Sequence, residues 1–177
     1  MKKLVLAFMV FALSANIKAQ ETPKKMSFGI HVNRQQNNFG YGVNIGTGNI
    51  LKSQLQFKVK ANMSFIENAN DPLKTTWNSF YNFNAGFAWQ PSTQQNFINP
   101  YVEVGGAAVL TCFKFTEEKI HFGPYALAGF DVNIYKNSTI FFEMGAIYTG
   151  AVAERLINNP TYISGFLSTA GWRYNLK

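Results

Sequence analysis

From Met26 to the end of the chain, apolar residues recur at every second position, the period of strands whose two faces meet different surroundings. Met26, Phe28, Ile30 and Val32 alternate with Ser27, Gly29, His31 and Asn33, and Phe39, Tyr41, Val43 and Ile45 alternate with Gly40, Gly42, Asn44 and Gly46. The clearest segment sets Leu55, Phe57, Val59, Ala61, Met63 and Phe65 against Gln56, Lys58, Lys60, Asn62 and Ser64. Five more follow: Trp77–Trp89, where Phe80 breaks the alternation, then Tyr101–Cys112, Phe122–Tyr135, Thr139–Gly150 and Tyr162–Leu176. Polar stretches join them, among them Ile66–Thr76, Gln90–Pro100, Thr111–Ile120 and Ala151–Thr161, and no helix is predicted. Strands of soluble proteins cluster near five or six residues, whereas strands that cross a bilayer need about 9–11. Most of these segments have the longer length. The pattern predicts an all-β fold, an eight-stranded antiparallel up-and-down transmembrane β-barrel over residues 26–177.

Two closures are open to such a sheet, and side-chain volume chooses between them. The interior of an eight-stranded barrel is only just wide enough for side chains to fill. With the apolar face inward it would have to hold Phe57, Phe65, Trp77, Tyr81, Phe87, Trp89, Phe142, Tyr148, Phe166 and Trp172 together. With that face outward, glycines, asparagines and a few charges occupy the lumen and the rings meet lipid. Aromatic residues also gather at strand ends, Phe65, Trp77, Tyr148 and Tyr162 at one end and Phe28, Trp89, Trp172 and Tyr174 at the other. These are the expected interfacial girdles.

The first residues do not share the pattern. Lys2 and Lys3 precede an apolar run, Leu4–Leu13, and a small-residue stretch, so residues 1–19 read as a secretory signal peptide cleaved after Ala19. Residues 20–25 are then a short periplasmic tail. Removing the signal takes Lys2, Lys3 and Lys18, leaving 13 basic residues against 9 acids and lowering the net charge from +7 to +4. No basic cluster survives to neutralise a phosphate backbone, which argues against nucleic acid as a partner. The whole chain is 16% aromatic and 14% charged, where a soluble protein carries about a quarter charged residues. That imbalance fits a surface facing something other than water.

With its signal, its eight alternating segments and a closing strand containing Gly171-Trp172-Arg173-Tyr174, the chain resembles the small outer-membrane barrels of the OmpA/OmpX type. The likeness is one of whole-chain pattern. It departs in ending on Asn175-Leu176-Lys177 rather than on an aromatic residue, and in its long turn at Gln90–Pro100. The resemblance implies a monomer in the outer membrane of a Gram-negative-type bacterium, with outer-membrane lipid and the barrel-assembly machinery as partners. The loops are candidates to touch a surface partner.

The candidate chemistry lies on the polar face. Lys58, Lys60, Glu103, Asp131, Glu143 and Arg173 point inward, three bases and three acids, and predict an ionic plug. A three-residue turn at Lys136–Ser138 would set Asp131 directly across from Glu143, with Arg173 reaching Glu143 from strand eight and Lys58 crossing the lumen. Read functionally, the same charges would line a narrow pore. Catalysis is the weaker expectation. Some barrels of this type modify lipids with a His, a Ser and an acid, but here His31 sits mid-strand and His121 starts strand six near Glu117 and Glu118, with no Gly-x-Ser-x-Gly. Two separated histidines and Cys112, an apolar filler at a strand end, form no metal-ligand cluster, and no cofactor is expected. A secreted lipocalin-like barrel binding a small apolar ligand is the alternative fold-level reading.

Overall fold

Alternating β-branched and aromatic residues hold the backbone extended, and turn residues reverse it between runs. In the computed structural model the described residues are 26–36, 38–50, 54–68, 76–91, 97–111, 115–135, 137–157 and 159–176. Residues 1–19, expected as a signal peptide, residues 20–25, expected as a tail, and Cys112 lie outside them. Eight strands form: β1 (Ser27–Gln35), β2 (Asn38–Gly46), β3 (Leu55–Asn68), β4 (Thr76–Trp89), β5 (Ile98–Leu110), β6 (Ile120–Tyr135), β7 (Ser138–Ile147) and β8 (Gly165–Asn175). Each pairs antiparallel with its sequence neighbours, and β8 pairs with β1, so the sheet closes and leaves no open edge. No helix occurs among the described residues.

Following paired residues once around the wall, from Ser27 through Gly46, Lys58, Gly86, Gly105, Tyr125, Ile147 and Gly165, returns the register to β1 ten residues further along. With a rise of ~3.3 Å per residue and strands ~4.8 Å apart, that stagger tilts the strands about 40° from the barrel axis. The nine-residue β1 and β2 are the shortest strands. At that tilt they climb about 23 Å, close to the ~25 Å apolar band of membrane barrels.

The wall is polar inside and apolar outside. Ile30, Val104, Met144 and Phe166 are each exposed by 58% or more, while Lys58, Lys60, Glu103, Glu143 and Arg173 are exposed by 4% or less. Most of the bulky inward residues lie directly across from a glycine: Tyr101 from Gly129, Tyr125 from Gly105, Phe141 from Gly171, Arg173 from Gly29, Lys58 from Gly46. The glycines make the space. A Cβ on Gly129 would fall 2.8 Å from the Tyr101 ring, and one on Gly171 would fall 2.7 Å from Phe141. The lumen is therefore packed by alternating large side chains with absent ones, and it holds several aromatic rings as well as polar groups.

Among the boundaries that differ from the sequence expectation, two shape the barrel mouth. β7 ends at Ile147 rather than Gly150, and β8 begins at Gly165 rather than Tyr162. The residues between turn into the barrel mouth, and Gly165, with φ +113°, supplies the reversal that returns the chain to the wall. Pro100 in β5 and Pro124 in β6 sit where the wall has a full ladder on one side only: Pro100 pairs with Phe130, and Pro124 with Gly106. Their missing N–H groups interrupt no central ladder there.

Candidate functional site

The lumen carries the chemistry, and the stagger of the strands decides who meets whom. Lys58 and Lys60, two apart on β3, share the inward face with Glu103 of β5, Asp131 of β6, Glu143 of β7 and Arg173 of β8. All six converge at mid-barrel. Lys60 Nζ bridges two acids, Glu103 Oε1 at 3.0 Å and Glu143 Oε2 at 2.8 Å. Lys58 Nζ lies 3.6 Å from Glu103 Oε2 and 3.6 Å above the centre of the Tyr101 ring. Arg173 Nη1 donates to Asp131 Oδ1 at 3.0 Å, its Nε donates to Asn44, and its guanidinium rests 4.2 Å from the Phe141 ring centre. Tyr101 Oη donates to Glu143 at 2.6 Å and Tyr125 Oη to Glu103 at 2.8 Å. Three cations therefore face three anions, and tyrosine hydroxyls occupy carboxylate lone pairs left over. That is the condition under which buried charges are tolerated.

The two acids expected to confront each other do not. Asp131 stands across from Phe141, and Glu143 across from Gly129, because the turn pairs Tyr135 with Ser138 rather than Thr139 and the β6–β7 register shifts by one more residue between Asn133 and Tyr135. Like charges on directly opposed residues would destabilise the sheet. The tighter turn and the irregularity together offset them by two residues, and Arg173 reaches into the gap. Arg173 accordingly belongs to Asp131 first, with Glu143 Oε1 at 3.9 Å, and Lys60 rather than Arg173 is the principal partner of Glu143.

A hydrogen-bonded amide ladder flanks the charges. Asn82 donates to Ser64 at 2.9 Å, Asn62 to Asn82 at 2.7 Å and Asn33 to Asn62 at 3.0 Å. His31 joins it through both ring nitrogens. Nε2 faces the Asn62 carbonyl oxygen, which assigns the proton to Nε2, and Nδ1 then accepts from Asn44 at 3.3 Å. Gln90 continues the network by donating to Asp131 at 3.4 Å and accepting from Gln56. Sequence reading singled out the charges but not this ladder, although asparagines in phase with them on neighbouring strands were the available signal.

Beyond the ladder the lumen becomes apolar. Residues 148–157 and 159–164 fold back as a small hairpin held by the Val152–Thr161 bridge and by hydrogen bonds between Ala153 N and Pro160 O and between Tyr162 N and Ala151 O, each 2.9 Å. Ala151, Ala153, Leu156, Tyr162 and Ile163 are buried against Ile66, Phe80, Val109, Leu127 and Ile147 of the wall. Tyr162, expected in an interfacial girdle, is instead fully buried, edge-on to Phe80 at 5.0 Å. It lies on the inward hairpin and not on the closing strand, so the alternation it continues belongs to a different element. Phe80, out of phase in the sequence, is its inward platform. Asn38 Nδ2 caps the hairpin by donating to the carbonyls of Thr161 and Tyr162. The neighbouring loop joins through Arg155, whose N–H donates to Phe115 O at 3.0 Å and whose guanidinium meets Glu117 at 3.1 Å.

The other aromatic positions lie on the outer wall in two groups. Phe65 stacks on Phe39 at 5.1 Å, with Trp77 edge-on to Phe39 at 4.9 Å. Phe28, Trp172 and Tyr174 pack together near the other end, Phe28–Tyr174 at 5.6 Å and Trp172–Tyr174 at 6.2 Å. Trp89 and Tyr148 are exposed outward. His121 Nε2 lies 3.3 Å from the carboxylate of the solvent-facing Glu118. Among the described residues no three His, Cys, Asp or Glu side chains converge to hold a metal. Compared with known proteins, the chain matches no family model and no curated sequence.

Proposed function

We propose that this eight-stranded barrel is an integral outer-membrane protein with a filled lumen, exported by residues 1–19, acting as a monomer in a structural or surface-interaction role and not as an enzyme. The observation that carries the reading is the inversion of the wall: apolar side chains stand outward along every strand while six charged residues are buried and matched inside. In water such an exterior would expose a continuous apolar band, far beyond the patches of soluble monomers. In a bilayer it is the stable arrangement, since the closed sheet satisfies every backbone ladder without water. Strand rise and the two aromatic groups add support. Cell fractionation with gel mobility before and after heating tests it. A membrane-bound, heat-modifiable protein is expected, and a soluble product of unchanged mobility overturns the proposal.

Strand number and closure fit a secreted lipocalin-like barrel equally well. The direction of the apolar face is what favours the membrane, because a ligand-binding barrel needs that face within. As for conduction, the ionic layer and the mouth hairpin stand in series across the lumen, so planar-bilayer recordings should show no steady current. A sustained ion current would replace the filled-lumen reading with a narrow pore. Lipid analysis of cells carrying the protein, expected unchanged, tests for a lipid-modifying activity.

A further inference from the structure

Among the described strand residues only two charged side chains face outward, Arg34 and Glu67; the other six strand charges are inside. Glu67 lies at the far end of the long β3, beyond the reach of its shorter neighbour β2. Arg34 is different. It sits one residue from the end of β1 and shares an outer row with Ser168, Met144 and Ala128, immediately beside the fully apolar row Val32, Ala170, Phe142 and Phe130. These two rows enclose an outer-wall groove of about 550 Å³. Its floor is shallow because Ala170 and Ser168 of β8 are small, with Val32 of β1 on one flank and Phe142 and Met144 of β7 on the other, and Ala128 of β6 beyond them. The Arg34 guanidinium closes its rim. Arg34 Nε donates to Gln36 O at 3.3 Å, which holds the group in place, while Nη1 and Nη2 make no hydrogen bond among the described residues.

We infer that this groove binds one anionic phospholipid, with its phosphate on Arg34 and an acyl chain in the groove. The inference rests on the membrane reading above. An apolar groove alone would take any acyl chain. A larger one of about 670 Å³, on the far side of β1 and lined by Ile30, Val43, Ala61 and Phe83, has no charged side chain and therefore no means to select a headgroup. Arg34 supplies that means, for its free Nη groups present the donor pair that matches two phosphate oxygens, and Ser168 adds a hydroxyl directly across from it. The side chain also lies at the strand end, the level at which a headgroup meets the wall.

Native mass spectrometry of the full-length protein, released from micelles containing equimolar phosphatidylglycerol and phosphatidylcholine with identical chains, tests the inference. Retention of one phosphatidylglycerol, favoured about fivefold over phosphatidylcholine, is expected for a single basic residue acting on an anionic headgroup. Arg34→Gln should bring the ratio close to one, and Ala170→Phe, which fills the floor, should lower retention of both lipids. Millimolar inorganic phosphate should not displace the lipid; displacement would mean a free-phosphate site and overturn the acyl-chain assignment. A ratio near one in the unmodified protein, or one that Arg34→Gln leaves unchanged, overturns the inference. Heat-dependent gel mobility, measured on each variant, keeps the two readings apart. A heat-modifiable, vesicle-inserted barrel without lipid preference refutes only the lipid site, whereas a protein that never inserts refutes the membrane reading itself.

Discussion

The lumen of this barrel is filled twice, by opposite chemistry. At mid-barrel, six charges, tyrosine hydroxyls and an amide ladder lock side chains contributed by the strands of the wall itself. At the mouth, a hairpin that is not part of the wall fills the space with Ala151, Ala153, Leu156, Tyr162 and Ile163. The first filling cannot be removed without leaving charges unpaired in the wall. The second contributes no strand to the wall, so its release would leave the ladders of β1 to β8 paired. Interior polarity in a small barrel thus ties the filling to the fold, whereas interior apolarity allows a separable plug.

The largest effect should come from the residue on which two acids depend. Lys60→Met leaves Glu143 without its nearest cation and Glu103 with only the longer Lys58 contact. Loss of one partner from a buried ion pair typically destabilises by about 3–5 kcal/mol. Urea unfolding of the refolded barrel in micelles should show a shift of that size; a shift below about 1 kcal/mol would mean that water reaches the network.

A balanced removal should do less damage. Adding Glu143→Leu to Lys60→Met leaves Lys58 with Glu103 and Arg173 with Asp131, so the interior is again neutral. More than half of the lost stability should return, since replacing both members of a buried pair by apolar groups is often close to neutral. If the double variant is less stable than Lys60→Met, pairing is not what makes the single change harmful.

At the mouth, Tyr162→Ala removes a ring fully buried against Phe80. In a single cooperative core such truncations cost about 3–5 kcal/mol. Here the hairpin should release locally, giving faster amide exchange at residues 151–163 while the urea midpoint of the barrel moves by less than about 1 kcal/mol equivalent. A full-size midpoint shift would show that mouth and wall unfold together and would erase the contrast between the two fillings.

The smallest effect belongs to the tie between loops. Arg155 and Glu117 are both well exposed. Arg155→Ala should change stability by no more than about 1 kcal/mol, and less in high salt, as for any solvated pair. Comparing unfolding at low and high ionic strength checks this; the Lys60 effect, shielded inside the wall, should keep its size under the same change.

How much of this could be read from the chain differs between the two fillings. Lys58, Lys60, Glu103, Asp131, Glu143 and Arg173 are legible as inward residues because each falls in phase with glycine and asparagine on its own strand. Their partners are not legible, as the offset of Asp131 from Glu143 shows: a turn one residue tighter than expected and an irregularity between Asn133 and Tyr135 together replace a confrontation of acids with an arginine-bridged pair. Tyr162 misleads for a different reason. Its surroundings alternate like those of a strand, and nothing local distinguishes a hairpin that folds into the mouth from the start of the closing strand. Phe80 carried a signal, since an aromatic residue out of phase on an alternating strand with a polar inner face needs an inward neighbour. Identifying that neighbour required the fold.

Period-two alternation by itself determined the number of strands, the side that most strand residues occupy, and hence an apolar exterior around a charged interior. It can do so because facing is a local property of extended backbone, repeated every two residues whatever the rest of the chain does. Tertiary structure alone decided that Lys60 bridges Glu103 and Glu143, that Arg173 answers Asp131, and that residues 148–157 and 159–164 stopper the mouth. Those outcomes depend on the sum of eight interstrand registers around a closed wall, a ten-residue stagger in all, and a shift of one residue at any seam would redirect every contact across the lumen.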